Sequence, residues 1–513
     1  MMNYELKRVI VKNLGLSPTA EQDEAIDVFC QFIMSRPNPR MARLTPCTSA
    51  MILRGSAGTG KTTLAAAIVK GLLELKQKLV LMAPTGRAAK VFSLYAEQPA
   101  YTIHRRIYRQ RNAGDMSMFT LSDNLHTDTL FIVDEASMIS SEPQWADGNG
   151  EVLFGSGSLL DDLVHYVYSG RNCRMMLIGD QAQLPPVGAD PTVCPPALQS
   201  DVLRGYGLQV FEAALTEVLR QSQQSGILYN ATRIRQTEDN ELGMVSLPEI
   251  LISGFSDIKD VPGDELIEQL TSSYSEVGMD ETIVVTRSNK RANVYNQGIR
   301  RTILDREDEL CRGDQLMVVK NNYYWGQRQG LPATSDRQGA NASGEQTEAK
   351  HLEYIANGDR CVVQRVRNVH EMHGFRFAEV TLLFPDYDDY ELTATVMLDT
   401  LTSEAPALTR EQQGQLFQRV MEDYQDVPYK SERLKKLKED RYYNALQVKF
   451  GYAVTCHKAQ GGQWEHVYVD QGYMTDDMLT PEYVHWLYTA FTRATKKLFL
   501  VNWPKKQVAL APQ

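Results

Sequence analysis

The sequence predicts an α/β protein built on two parallel sheets, the second interrupted by a β-rich insertion, and three observations support this. Apolar runs of strand length alternate with helical patterns through residues 1–225, as parallel strands with helical crossovers require. A second set of such runs follows residue 281. Between the halves of that set lies a stretch of different composition, first polar and then rich in strand-forming residues. At 513 residues, of which 43% are hydrophobic, the chain is too long for one core, and two to four domains are expected.

Taken in order, residues 1–225 are expected to form the first domain, with buried strands at 50–53, 79–83, 130–133 and 175–178. Within it, residues 105–124 place Tyr108, Met116, Met118 and Phe119 around the turn Asn112-Ala113-Gly114-Asp115, which predicts a β-hairpin. Residues 226–270 read as a connecting helical segment. The second domain comprises residues 271–325 and 446–513, with strands at 282–286, 448–455, 466–469 and 497–501. The insertion, 326–445, opens with a polar loop at 326–350. Strand-like stretches at 360–366, 378–384 and 392–398 then suit a small β-barrel, and a charged helical segment spans 410–441.

Composition narrows the function. The balance of 54 basic against 64 acidic groups gives a net charge of −10, which argues against coating a polyanion by bulk charge. Nucleic acid, if bound, must enter a local groove. Seven scattered cysteines without a CxxC pair indicate neither a zinc site nor a disulfide framework, and a reducing compartment follows. No apolar run approaches membrane-spanning length, so a soluble, cytoplasmic protein is expected.

The octapeptide Gly55-Ser56-Ala57-Gly58-Thr59-Gly60-Lys61-Thr62 fits G-x-x-x-x-G-K-[ST] and lies between an apolar strand and a helical run. Gly55, Gly58 and Gly60 let the backbone wrap so that its N–H groups face phosphates, and Lys61 adds a point charge. Thr62 places a hydroxyl on Mg2+. The apolar run 130–133 ends in Asp134-Glu135. There Asp134 suits the Mg2+ shell, and Glu135 suits orienting or deprotonating the attacking water of ATP hydrolysis. A helix-capping acid is the competing reading for Asp134 alone.

Further stretches converge on the same site. Gly179-Asp180-Gln181-Ala182-Gln183-Leu184-Pro185-Pro186 follows a strand, so its polar groups emerge at the carboxyl edge of the sheet, where Gln183 is placed to sense the γ-phosphate. Thr85, in another strand-to-helix turn, suits a phosphate grip, with a plain βα loop as the alternative. Arg220 and Arg493 sit in mostly uncharged surroundings, where a guanidinium needs an anion to compensate for desolvation. A buried salt bridge would meet that need equally well.

As an ordered set, these motifs resemble those of the superfamily 1B helicases, in the RecD-like group that includes the phage Dda enzyme. Gln22 matches the adenine-recognising glutamine, and residues 55–62, 134–137 and 179–186 match motifs I, II and III. Residues 215–221, 453–461 and 488–496 match the fourth, fifth and sixth. The resemblance implies two RecA-like motor domains with ATP between them, and Arg220 and Arg493 as arginine fingers. It also implies Thr59, Thr63 and Gly461 among the nucleotide-binding residues. It places Thr85, Thr102, His104, Thr455 and His457 on a single DNA strand followed 5′ to 3′. An acidic residue expected near the nucleotide sugar aligns with Gln463 or is displaced to Glu465.

The expected activity is therefore ATP-dependent DNA unwinding at a fork by a monomer, since both fingers lie in one chain. Phosphate contacts carry no base identity, so tracking should be independent of sequence. Phe119, in the hairpin at 105–124, is the candidate wedge, with a surface hairpin packed on its own domain as the alternative. Two rival readings are a translocase without strand separation and an ATP-switched regulatory module.

Overall fold

The computed structural model describes residues 2–35, 48–110, 119–142, 155–186, 188–218, 224–237, 248–322, 324–328, 355–475 and 478–509. Backbone proximity divides the chain into two compact units. One comprises residues 1–109, 120–303 and 452–513, the other residues 110–119 and 304–451.

The first unit begins with helices α1 (Met2–Leu14) and α2 (Ala20–Met34), followed by β1 (Ser49–Gly55) and α3 (Lys61–Glu74). Next come β2 (Lys78–Ala83), α4 (Gly86–Ala96), β3 (Ala100–Thr102) and α5 (Ile103–Ile107). The short strands β4 (Tyr108–Gln110) and β5 (Phe119–Leu121) pair as a two-stranded sheet. Then follow β6 (Thr129–Val133), α6 (Leu159–Ser169), β7 (Arg174–Gly179), α7 (Ser200–Gly205) and β8 (Gln209–Leu215).

Six of these strands form one sheet in the order β3-β2-β6-β7-β1-β8, parallel throughout. Its central strands are apolar over consecutive positions (residues 50–53 and 130–133), not in alternation, because helices cover both faces. Leu6, Ile10, Phe29, Phe32 and Ile68, from α1, α2 and α3, pack with Met51, Leu53, Ile132 and Met176 in one core. The order β6-β7-β1 has a direct consequence. The loops after these three adjacent parallel strands leave the same edge side by side.

All four strands expected in this domain are present. The sequence reading missed β3 and β8, one only three residues long and the other a partly exposed edge strand carrying Gln209 and Glu212. In the hairpin stretch, residues 103–107 are helical and the expected turn at 112–115 lies outside the described residues.

Helix α8 (Gly226–Gln236) is followed by β9 (Ile258–Val261), α9 (Leu266–Glu276), β10 (Thr282–Thr286) and α10 (Asn289–Gly298). The segment 226–270 is thus not wholly helical. Four residues with Lys259 and Asp260 at their centre do not read as a strand, yet they pair in parallel register at a sheet edge.

The second unit contains β11 (Gln315–Val318), α11 (Tyr324–Arg328), β12 (Arg360–Met372), β13 (Phe375–Phe384), β14 (Tyr390–Met397), α12 (Arg410–Glu422), α13 (Lys430–Lys438) and β15 (Leu446–Phe450). Its five strands close into a barrel. Closure requires β11 and β15, which come from outside 326–445, so the barrel claims strands that the sequence reading gave to the second domain. The expected helix at 410–441 is two helices, and most of the expected polar loop at 326–350 lies outside the described residues.

The chain re-enters the first unit at β16 (Ala453–Thr455), followed by α14 (Cys456–Ala459), β17 (Trp464–Asp470), α15 (Pro481–Phe491) and β18 (Ala494–Val501). With β10 and β9 these form a second parallel sheet, in the order β16-β10-β17-β18-β9. The strand expected at 448–455 is therefore split into β15 in the barrel and β16 in the sheet. A mostly apolar run, buried in both halves, does not show such a division.

Candidate nucleotide site and strand path

The loop between β1 and α3 is shaped by its glycines. Gly58 and Gly60 both have φ +78°, which side chains with a Cβ rarely adopt. A Cβ on Gly55 would stand 3.1 Å from Thr59 Oγ1 and 3.2 Å from Lys61 Cβ. Thr59 is buried, and its hydroxyl donates to the Ser56 carbonyl at 2.8 Å. Lys61 folds back to donate from Nζ to the Gly55 carbonyl at 3.1 Å. Thr62 is half-buried in the first turn of α3, whereas Thr63 is exposed. Gln22, on the first turn of α2, donates from Nε2 to the Thr59 carbonyl at 3.2 Å.

Asp134 emerges from β6, with its N–H on the Met82 carbonyl and its Oδ1 accepting the Glu135 N–H at 2.8 Å. Burial and the neighbouring Glu135 carboxylate raise Asp134 to about 6, against the pull of Lys61. Glu135 adopts φ +52°, an unusual conformation for a residue with a side chain. Among the described residues, Glu135 Oε2 and Gln183 Oε1 are buried without a hydrogen-bond partner. Buried polar atoms without partners are rare, and here they accompany crowded carboxylates beside a glycine-lined loop. Residues so arranged fit a nucleotide phosphate with its cation.

The second sheet supplies the opposite wall. Arg493 is 2% exposed, and its guanidinium donates to the Thr489 carbonyl at 3.0 Å, the Gly462 carbonyl at 3.0 Å and Thr492 Oγ1 at 3.2 Å. These partners are neutral, and among the described residues no ion pair involves Arg493. Arg220 lies outside the described residues.

Helix α15, which leads into Arg493, is stitched to the loop after β7. Leu184 N–H donates to Thr489 Oγ1 at 2.8 Å, and His485 Nδ1 lies 2.9 Å from the Ala182 carbonyl. The Tyr488 hydroxyl is 2.6 Å from Asp180 Oδ2. Gln460 Nε2 donates to the Leu184 carbonyl at 2.7 Å. From α8, Arg235 donates to Ser56 Oγ. Tyr488, Asp180, Gln460 and Arg235 were absent from the sequence-derived site residues. Of these, only Tyr488, Asp180 and Gln460 lie within a recognised motif, so only they left a signal to follow.

Comparison with known proteins bears on this arrangement. An uncharacterised protein of Methanocaldococcus jannaschii is 29% identical over 205 residues, covering 36% of this chain and 15% of its own. The ATP-dependent RecD2 DNA helicase of Deinococcus radiodurans is 25% identical over 281 residues, 53% of this chain and 34% of its own. The chain thus spans about a third or less of the length of these relatives. A crystal structure of Pif1 helicase from Bacteroides, in complex with ADP-AlF3 and ssDNA, aligns with 97% of this chain and 95% of its own at 13% identity and a TM-score of 0.44. A family model for the AAA domain matches residues 42–146, around the phosphate loop and Asp134. A second, for the UvrD-like helicase C-terminal domain, matches residues 450–501, around α15 and Arg493. Two segments of the chain, one around the phosphate loop and one around α15, are thus similar to an AAA domain and to a UvrD-like helicase C-terminal domain.

The strand-path candidates gather at the carboxyl edges of both sheets. Thr85 and Thr102 are the N-caps of α4 and α5, accepting the Ala88 N–H at 3.2 Å and the Arg105 N–H at 3.3 Å. Thr455 precedes α14 but makes no side-chain capping bond. Burial pushes His104 down to about 4 and lowers His457 as well. Gly461 lies beside this group, since a Cβ there would stand 3.1 Å from both Ala88 Cβ and Thr85 Oγ1. Nearby, Arg87 donates to the Gln463 carbonyl at 2.9 Å and lies over the Trp464 ring. Glu465 pairs with Lys496 at 2.7 Å. Phe119 is half-buried in β5.

Proposed function

We propose that this chain is a superfamily 1 helicase of the RecD and Pif1 type, that it couples ATP hydrolysis at residues 55–62 to 5′ to 3′ movement along single-stranded DNA, and that it opens duplex DNA at a fork. The observation that supports this most is Arg493, a buried cation with neutral partners, carried on a helix bonded to the loop after β7. A desolvated guanidinium is compensated when an anion reaches it, and the terminal phosphate of ATP is that anion. Lys61, Gln183, Arg493 and Arg220 meet the transferring phosphoryl group, and Glu135 orients the attacking water. Thr62 and Asp134 hold Mg2+, which neutralises phosphate charge, while Gln22 and the 55–60 backbone seat the nucleotide.

Loss of the terminal phosphate removes the anion that draws Arg493 towards the phosphate loop, so the cleft reopens once per ATP. With Thr85, Thr102 and His104 on one sheet and Thr455 and His457 on the other, this alternation advances a strand. The RecD2 relative, an ATP-dependent DNA helicase, supports DNA as the track. Phe119 is the wedge, and the helicase works as a cytoplasmic monomer. The test is ATPase rate with and without single-stranded DNA, together with unwinding of a forked duplex. Lys61→Ala should abolish both activities while leaving the fold. Turnover at the normal rate in that variant, or a rate indifferent to DNA, would overturn the reading.

A further inference from the structure

Helix α15 faces the loop after β7 through His485, Tyr488 and Thr489, positions that share one side of a helix. Tyr488 also reaches the phosphate loop. Its hydroxyl donates to Asp180 Oδ2 at 2.6 Å and accepts the Ala57 N–H at 2.8 Å. A phenol has one proton and two acceptor sites, so both bonds form at once with a single arrangement of charges. The Tyr488 side chain is buried, and desolvation holds its pKa well above the ordinary phenol value, so it keeps its proton and remains a donor. Asp180 is 1% exposed, and its other oxygen accepts the Ala182 N–H at 3.1 Å.

Three parts of the motor therefore meet at one oxygen. Ala57 belongs to the loop whose N–H groups cradle phosphates. Asp180 opens the loop that carries Gln183, and Tyr488 lies in α15, five residues before Arg493. An amide engaged by Tyr488 is not free for phosphate in that geometry, so occupancy of the phosphate loop and the seating of α15 cannot vary independently.

We propose that Tyr488 is a positioning residue: its hydroxyl transmits the state of the phosphate loop, through Ala57 and Asp180, to the helix that carries Arg493. This rests on the nucleotide-site reading above, and its failure is distinguishable from the failure of that reading, which Lys61→Ala tests.

Tyr488→Phe keeps the ring and removes both bonds. In the full-length protein, the DNA-stimulated kcat for ATP should fall about 10-fold or more, the scale of a lost hydrogen bond to a charged group. KM, and the affinity for a fluorescent ADP measured without turnover, should stay within about 2-fold, because the coupling acts after binding. Asp180→Asn keeps an acceptor for the phenol but loses the charge, and it should also lower kcat. Combined with Tyr488→Phe, it should cost clearly less than the product of the two single losses, since both act through one unit. An unchanged kcat in Tyr488→Phe would overturn the proposal. So would equal losses in ADP affinity and kcat accompanied by a lower thermal midpoint, which would mark a purely structural bond. Strict additivity in the double variant would overturn it too.

Discussion

Gln22 Nε2 donates to the Thr59 carbonyl at 3.2 Å while its Oε1 accepts the Thr19 N–H at 3.1 Å. The residue expected to read the adenine base therefore also closes the capping box of α2 and braces the phosphate loop. Gln22→Ala should raise KM for ATP by about 3- to 10-fold, the scale of one lost neutral hydrogen bond. It should also lower the thermal midpoint through loss of the cap. Gln22→Glu keeps an acceptor for Thr19 but no donor for Thr59, so it should raise KM while restoring most of the midpoint. Steady-state kinetics and thermal melts separate the two effects, and an unchanged KM in both variants would remove Gln22 from the site.

Arg493 should behave as a transition-state group. Arg493→Ala is expected to lower kcat by about 10³- to 10⁵-fold while changing nucleotide affinity far less. Arg493→Lys should not restore the rate, because one ammonium cannot hold Thr489, Gly462 and Thr492 together and still present a planar fork to phosphate. Single-turnover hydrolysis measured beside nucleotide binding decides this. Parallel losses in both would mean ground-state binding only.

Asp134 predicts a pH effect on stability. Burial and Glu135 raise it to about 6 in the folded protein, from an ordinary value of 3.8. The folded state thus binds this proton more tightly than the unfolded chain does. The resulting stabilisation is whole below the unfolded value and is lost as pH rises through about 6. Asp134→Asn should therefore raise the thermal midpoint of the nucleotide-free protein at about pH 8, with the gain shrinking towards pH 4, while abolishing hydrolysis. A midpoint lowered at all pH values would contradict this electrostatic account.

The histidines proposed for the strand path should add affinity without charge. His104 is held down to about 4 and His457 is lowered by burial, so both are neutral at pH 7. On single-stranded DNA each neutralised phosphate contributes about −0.7 to the slope of log affinity against log salt. His104→Ala, His457→Ala and Thr455→Ala should weaken binding to all sequences alike and leave that slope unchanged. Anisotropy titrations over a salt series would reveal a charged histidine as a slope smaller by about 0.7.

Phe119→Ala tests the wedge. It should impair separation of a forked duplex by several-fold or more while DNA-stimulated ATPase stays nearly intact, because a wedge acts at the fork and not on the tracked strand. Proportional loss of both activities would assign Phe119 to the motor or to its packing.

The sequence by itself pointed to the phosphate chemistry. A phosphate loop and an acid pair at a strand end were legible because each depends on residues close in sequence, where a turn or strand end fixes their geometry. The same locality made the central strands readable, since a strand buried on both faces is an unbroken apolar run. Only the tertiary structure decided which sheet each run joins. Residues 448–455 looked like one strand but serve the barrel and the second sheet in turn, and Ile258–Val261 became a strand only through its pairing with β18. It also decided that Arg493 has neutral partners, and that Tyr488 meets Ala57 and Asp180 from more than 300 positions away. Contacts of that range depend on how two sheets come together, and no local pattern of side chains encodes them.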